Sequence, residues 1–280
     1  MDQSRIKYKF SAKRKIFRWA TISTLIYCSM GLVLYYAQEK FMFHPVTLQK
    51  NFEFHFNIPF KEVNIPMNAR DTVNIIQFFP ANPYPKGVVI YFHGNKENVT
   101  DYAKYAYNFT LNGYEVWIPD YPGFGKTTGK LTEKNMYLQA KEVYRLAHSK
   151  FSSDSIIVYE KSLGTGVAAY IAAKMDCRSL ILETPYYSIP DLFSCYAPIY
   201  PTNRMSHFKF PVGDYLRDVK VPISIFCGTS DRVIPYCCSV KLKSVLKPMD
   251  EFVTIKKGTH NDLNDFPLFH SKLDSILNKK

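Results

Sequence analysis

Ser155–Ala173 reads SIIVYEKSLGTGVAAYIAA. The apolar run Ile156–Tyr159 suits a short buried strand, and the alanine-rich stretch after Gly166 suits a helix. Only a sharp turn, Glu160-Lys161-Ser162-Leu163-Gly164, separates them. A serine on such a turn has its hydroxyl pushed above the sheet, and the first N–H groups of the helix are left free to face a developing oxyanion. Turns of this kind usually follow the pattern G-x-S-x-G, and here Glu160 replaces the first glycine. A glutamate there adds bulk and charge beside the candidate nucleophile.

Working outward, the flanking segments alternate. Lys61–Pro66 and Val73–Phe79 read as strands joined by the turn residues Asn68–Asp71. Gly87–Phe92 is apolar on both faces, as central parallel strands are. A helix is expected from about Asn98 to Leu111, stopped by Asn112-Gly113, and a strand over Glu115–Pro119. Glu133–His148 carries Met136, Ala140, Val143 and Ala147 at helical spacing. Strands at Ser179–Leu182, Ile223–Cys227 and Phe252–Ile255 alternate with helices near Tyr236–Leu246 and Pro267–Asn278. Repeated βαβ units mean an α/β fold with a mostly parallel central sheet and helices on both faces. The alternation lapses over residues 184–218, dense in aromatics and prolines. That stretch is expected to form a short cap over a pocket, lining it with apolar surface. Phe41–Pro45 and the following fifteen residues are aromatic and extended, and are expected to cover a sheet edge.

A serine hydroxyl needs a base, and the base an orienting acid. Asp231 and His260 each stand just past a buried strand, in Gly228-Thr229-Ser230-Asp231 and Gly258-Thr259-His260. Loops at the C-terminal ends of parallel strands share one edge of the sheet, so Ser162, Asp231 and His260 can meet there. Taken alone, His260 is an ordinary loop histidine, Asp231 an ordinary turn residue; together with Ser162 they fit one chain order and one edge. Glu183 is the alternative acid. The backbone N–H groups of Asn95 and Leu163 are the expected oxyanion donors, with His93 fixing its loop rather than serving as base.

The first eighteen residues carry seven cations against Asp2, half of the net +12. Trp19–Ala37 then runs nineteen residues without a formal charge, with Trp19 and Tyr35-Tyr36 at its ends. At 1.5 Å per residue this comes close to the roughly 30 Å of a hydrocarbon core. A signal peptide would have a shorter apolar run and a small-x-small cleavage site. The expected organisation is therefore a basic tail (1–18), a transmembrane helix (19–37) and a globular domain (41–280). The positive-inside rule puts the N-terminus in the cytoplasm and the domain on the extracytoplasmic side. With the charge concentrated in the tail, no basic, aromatic-interleaved stripe remains for nucleic acid.

No C-x-x-C occurs among the six cysteines, and the adjacent pair Cys237-Cys238 is poorly spaced for a metal, so buried free thiols are expected. Gly123–Lys130 is not a phosphate loop, because Phe124 stands five residues before Gly129 and Leu131 follows Lys130. No metal and no cofactor are expected.

HGN at His93–Asn95, DYPGFGK at Asp120–Lys126, SLGTG at Ser162–Gly166, GTSDRVIP at Gly228–Pro235 and GTHNDL at Gly258–Leu263 together resemble the α/β-hydrolase superfamily. More narrowly they resemble its Bem46-like branch, grouped with the serine aminopeptidase S33 kind. That branch commonly has an N-terminal hydrophobic helix followed by a short aromatic stretch ending in Pro, matched here by Phe41–Pro45. The resemblance implies a nucleophile at Ser162, an acid at Asp231 and a base at His260. It also implies a membrane-anchored serine hydrolase acting on an ester, thioester or amide of a small-molecule or acylated substrate. Glu160 motivates an alternative, a catalytically weak protein of this fold with an interaction or membrane-organising role. Fold alone does not choose between them.

Overall fold

The computed structural model describes residues 3–279, with side chains from residue 13 onward; Met1, Asp2, Lys280 and the side chains of Arg5, Lys7 and Lys9 in the basic tail lie outside the described residues. Eight strands form one sheet: β1 (Phe60–Pro66), β2 (Thr72–Phe78), β3 (Val88–Phe92), β4 (Glu115–Pro119), β5 (Ile156–Lys161), β6 (Ser179–Glu183), β7 (Ile223–Gly228) and β8 (Glu251–Ile255). Their spatial order is β8-β7-β6-β5-β3-β4-β2-β1. The six from β8 to β4 are parallel, and β2 and β1 complete the other edge antiparallel. β3, β5, β6 and β7 are buried along their whole length, which is why they read as continuous apolar runs rather than alternating ones.

Two cores flank the sheet. One is filled from α2 (Glu133–His148), α3 (Thr165–Lys174) and a short helix in the 184–218 segment, Val212–Asp218; the other from the turns at 99–110 and the C-terminal helix Pro267–Asn278. α2 starts where Thr132 Oγ1 accepts from the Asn135 N–H at 3.2 Å, and it buries Met136, Ala140, Val143 and Ala147.

Several expectations shift in detail. Residues 99–110 form helical turns broken by a 3₁₀ piece, not one helix; Val99, Thr100 and the three tyrosines that follow are weak helix formers, so packing decides. Tyr236–Leu246 likewise tightens into 3₁₀ geometry after Ser239. The 184–218 segment is more regular than its prolines suggest. It holds α4 (Ile189–Tyr196), capped by Ser188 Oγ on the Asp191 N–H, a turn at Thr202–Met205, and α5 (Val212–Asp218). The first helix, α1, runs from Gln3 to Met42, past the apolar stretch at both ends.

The segment after α1 does cover a sheet edge, through an aromatic ladder of Phe52, Phe54, Phe56, Phe60 and Phe78. It also does something the sequence did not announce. The Asn95 side-chain amide donates to the Met42 carbonyl at 2.5 Å, and the His44 N–H donates to the Asn95 carbonyl at 2.8 Å. The end of α1 is thereby stitched to the loop after β3.

Cysteines divide differently from the expectation of free thiols. Cys177 and Cys227 are buried and free, and burial pushes both thiols up to about 12. Cys195 of α4 is joined to Cys238 as a disulfide, with Cys237 free and exposed beside it. The pairing partners lie 43 residues apart and meet only because α4 folds over the turn after β7.

Candidate active site

Ser162 follows β5 directly, with φ +61°, a left-handed backbone that a non-glycine residue holds only under strain. The surroundings enforce it. A Cβ on Gly164 would stand 2.7 Å from the Phe92 carbonyl oxygen and 2.8 Å from the Tyr121 hydroxyl, so the backbone packs against the β3 loop as only glycine allows. Gly166 is pressed just as closely onto Phe210.

At the same sheet edge, His260 Nε2 lies 2.9 Å from Ser162 Oγ, and His260 Nδ1 lies 2.8 Å from Asp231 Oδ2. The other carboxylate oxygen of Asp231 accepts the backbone N–H groups of Val233 and Ile234, each at 2.8 Å, which fixes the carboxylate plane. All three side chains are buried or nearly so. The three residues singled out in the sequence by motif, strand end and chain order therefore form one continuous hydrogen-bonded line. Glu183, the alternative acid, lies elsewhere: its carboxylate is engaged by Lys161 and the Tyr159 hydroxyl, with Asn264 at 3.4 Å.

Asn95 and Leu163 border the same cleft as Ser162. His93 is fully buried between Tyr102 and Tyr121; its Nδ1 lies 2.8 Å from the Gly94 carbonyl and its Nε2 3.1 Å from Asp120 Oδ1. It braces the loop and has no line to Ser162.

Glu160 is fully buried, and the side chains that border the serine cleft do not include it. Its Oε1 sits 2.6 Å from Thr165 Oγ1, and Thr165 Oγ1 also reaches the Ser162 carbonyl. Burial raises the Glu160 carboxyl well above its ordinary value, against the opposing pull of the Thr165 bond. The Thr165 hydroxyl is the donor in both contacts, its one proton shared between the Glu160 carboxyl and the Ser162 carbonyl. In that arrangement the residue that breaks the glycine pattern pins the nucleophile turn from behind. Next to it, burial works against the charge of Lys161, but Glu183 outweighs it and the ammonium is held up.

Two spaces meet at Ser162. One, about 220 Å³, is apolar, walled by Leu163, Tyr186 and Ile189 together with Leu192, Phe193 and Tyr196 of α4. The other, about 590 Å³, is polar, and Lys96, Glu97, Asp101, Lys104 and Lys161 border it along with His260. Phe41 borders both and Met42 the apolar one. These two were read from the sequence as edge cover. The run FMFHP was a visible signal, but nothing local says that it returns to the site. Among the described residues the sulfur atoms of Cys195, Cys237 and Cys238 come within 4.8 Å of one another, the only grouping with metal-ligand spacing. With two of the three joined in a disulfide, a single thiol is left to it.

A strand-turn-helix serine, an acid after β7, a histidine after β8 and a mostly parallel eight-stranded sheet define an α/β-hydrolase fold. The family model described as serine aminopeptidase S33 matches residues 83–209, which include Asn95 and Ser162 but stop short of Asp231 and His260. The chain is 27% identical to the protein bem46 of Schizosaccharomyces pombe over 271 residues, 90% of each chain. It is 23% identical to the mouse alpha/beta hydrolase domain-containing protein 17C over 77% of this chain and 67% of that one. An esterase of Pyrococcus furiosus superposes with TM-score 0.67 at 17% identity, covering 84% of this chain and 97% of that one. These matches support assignment of the chain to the Bem46-like branch of the α/β-hydrolase superfamily.

Proposed function

We propose that this chain is a membrane-anchored serine hydrolase that cleaves acyl esters or thioesters through an acyl-enzyme on Ser162. The observation that carries the reading is the line Ser162 Oγ, His260 Nε2, His260 Nδ1, Asp231 Oδ2, with contacts of 2.9 and 2.8 Å, set between an apolar and a polar space. His260 takes the Ser162 proton as Oγ attacks the acyl carbon; the carbonyl oxygen becomes an oxyanion held by the N–H groups of Asn95 and Leu163. Collapse of that intermediate expels the leaving group, which receives the proton from His260. Water then attacks the acyl-Ser162 by the same route, releasing acid and free serine.

The division of the site gives the orientation: the acyl part against the aromatic wall, the leaving group toward the charged side chains. An aminopeptidase needs a carboxylate to receive the substrate ammonium in the acyl space, and none borders it among the described residues. That favours ester or thioester over aminoacyl amide. Glu160 is buried and does not border the serine cleft, which supports a working nucleophile over a weakened site.

α1 is the one helix among the described residues long and apolar enough to cross a membrane. With the cations ahead of Trp19, it holds the domain on the extracytoplasmic side.

The test is a panel of p-nitrophenyl esters read beside aminoacyl anilides. The parent is expected to hydrolyse the esters and spare the anilides. Asp231→Asn is expected to lose about 10⁴ in kcat, the loss seen when a triad aspartate is neutralised in the serine-protease template. Turnover of anilides alone, or an Asp231→Asn variant at parental rate, would contradict the reading.

A further inference from the structure

A second apolar cavity, also about 220 Å³, lies between α1 and the segment carrying α4. Leu34 and Phe41 wall it from α1; Phe193, Tyr196, Ala197 and Tyr200 wall it from the other side. Phe41, Phe193 and Tyr196 also wall the serine cleft, so the two spaces adjoin across shared side chains. Most of the polar groups that border it are already paired, the Thr202 hydroxyl being the exception. The Gln38 amide donates to the carbonyls of Tyr35 and Met205 and accepts the His207 N–H at 2.7 Å, and Ser206 Oγ donates to the Thr202 carbonyl. A ligand here meets mainly apolar side chains and satisfied polar groups, which favours hydrocarbon.

The position of α1 is built, not incidental. Tyr27 stacks on Tyr200 with centroids 4.6 Å apart and planes 6° off parallel. The Tyr27 hydroxyl donates to the Ile199 carbonyl at 3.1 Å, and the Tyr200 hydroxyl donates to the Tyr27 carbonyl at 3.0 Å. Gly31 fits beneath the same ring: a Cβ there would stand 3.1 Å from Tyr200. Tyr27 is midway along the apolar run Trp19–Ala37, so the contact reaches some 15 Å down that run at 1.5 Å per residue. Ile199 and Tyr196 on the domain side of this junction are 70% and 57% exposed, an apolar rim at the depth where lipid chains lie.

Resting on the hydrolase reading above, we infer that α1 is a wall of the substrate channel as well as an anchor. The cavity it forms with the α4 segment holds the distal part of a long acyl chain drawn from the bilayer, whose ester or thioester carbonyl sits at Ser162. The ligand class is a long-chain acyl ester or thioester with a polar leaving group.

Two substitutions fill the cavity from opposite walls and touch nothing at the serine: Ala197→Phe and Leu34→Trp. With the full-length protein in phosphatidylcholine nanodiscs, kcat/KM is measured for p-nitrophenyl acetate and p-nitrophenyl palmitate. Each variant is expected to lower the palmitate-to-acetate ratio by about tenfold or more, the scale set by excluding methylenes from an apolar pocket, with acetate turnover retained. Variants that keep the parental ratio, or that lose acetate and palmitate together, overturn the inference. If the parent hydrolyses neither ester, the hydrolase reading fails, and a second readout still decides the cavity. Palmitic acid bearing a diazirine near its methyl end is photolysed with the protein, and the adducts are mapped by mass spectrometry. Adducts within residues 34–41 and 193–206, lost in Ala197→Phe, support the cavity as a chain site; adducts elsewhere, or unchanged in the variant, contradict it.

Discussion

Glu160 carries the sharpest consequence at the level of single residues. Its carboxyl is raised by burial, so the folded chain holds a proton that the unfolded chain releases above its ordinary value of 4.5. The folded-state value is the higher one. Its stabilising share is therefore complete at acid pH and drains away as pH rises toward that raised value. Glu160→Gln keeps an acceptor for the Thr165 hydroxyl and cannot ionise. Thermal unfolding from pH 5 to pH 9 is expected to show the parent losing Tm relative to Glu160→Gln as pH rises, with ester turnover retained in the variant. Parallel Tm curves would contradict the neutral-carboxyl account. Ser162, Asp231 and His260 were legible in the sequence because each lies at or within a few residues of the C-terminal end of a strand, and parallel topology sends such positions to one edge. The answer to Glu160 was not legible. It depends on Thr165, five residues on, whose hydroxyl points back only once the turn is made.

Among the elements, the junction of β5 and α3 is held by close approach rather than by large side chains. Gly164→Ala would drive a Cβ to 2.7 Å from the Phe92 carbonyl oxygen, and backbone cannot give way as a flexible side chain can. The expected result is a loss of about 1–3 kcal/mol, the usual penalty of overpacking, read as a lower urea midpoint with an unchanged slope. An unchanged midpoint would mean that β3 and the turn are less tightly joined than their geometry implies. The sheet strands and the helices Glu133–His148 and Pro267–Asn278 were readable to within two residues, the central strands as continuous apolar runs and the first of these helices from its spacing, whereas α1 runs well past the apolar stretch that announced it. The 99–110 turns and the path of residues 184–218 were not. Their aromatics satisfy neither period, and their shape is set by partners such as Glu133, which accepts the N–H groups of Lys209 and Phe210.

For the whole molecule, the anchor helix, the 184–218 segment and the active site form one unit: α1 ends at Asn95, stacks on Tyr200 and contributes Phe41 to both apolar spaces. On the proposed reading, membrane attachment and catalysis are coupled by contact. The anchoring reading predicts that the protein stays with membranes through alkaline carbonate washing. It also predicts that, in sealed vesicles with the cytoplasmic face outward, protease removes an N-terminal tag and spares the domain. Release by carbonate, or digestion of the domain in those vesicles, would contradict the anchor or its direction. Each of these consequences assumes that Ser162 is a working nucleophile, and a fluorophosphonate reports on that directly. After incubation of the purified full-length protein with the probe, intact-mass spectrometry is expected to show one adduct, mapped to Ser162, and none on Ser162→Ala. Equal labelling of Ser162→Ala and the parent would contradict the account.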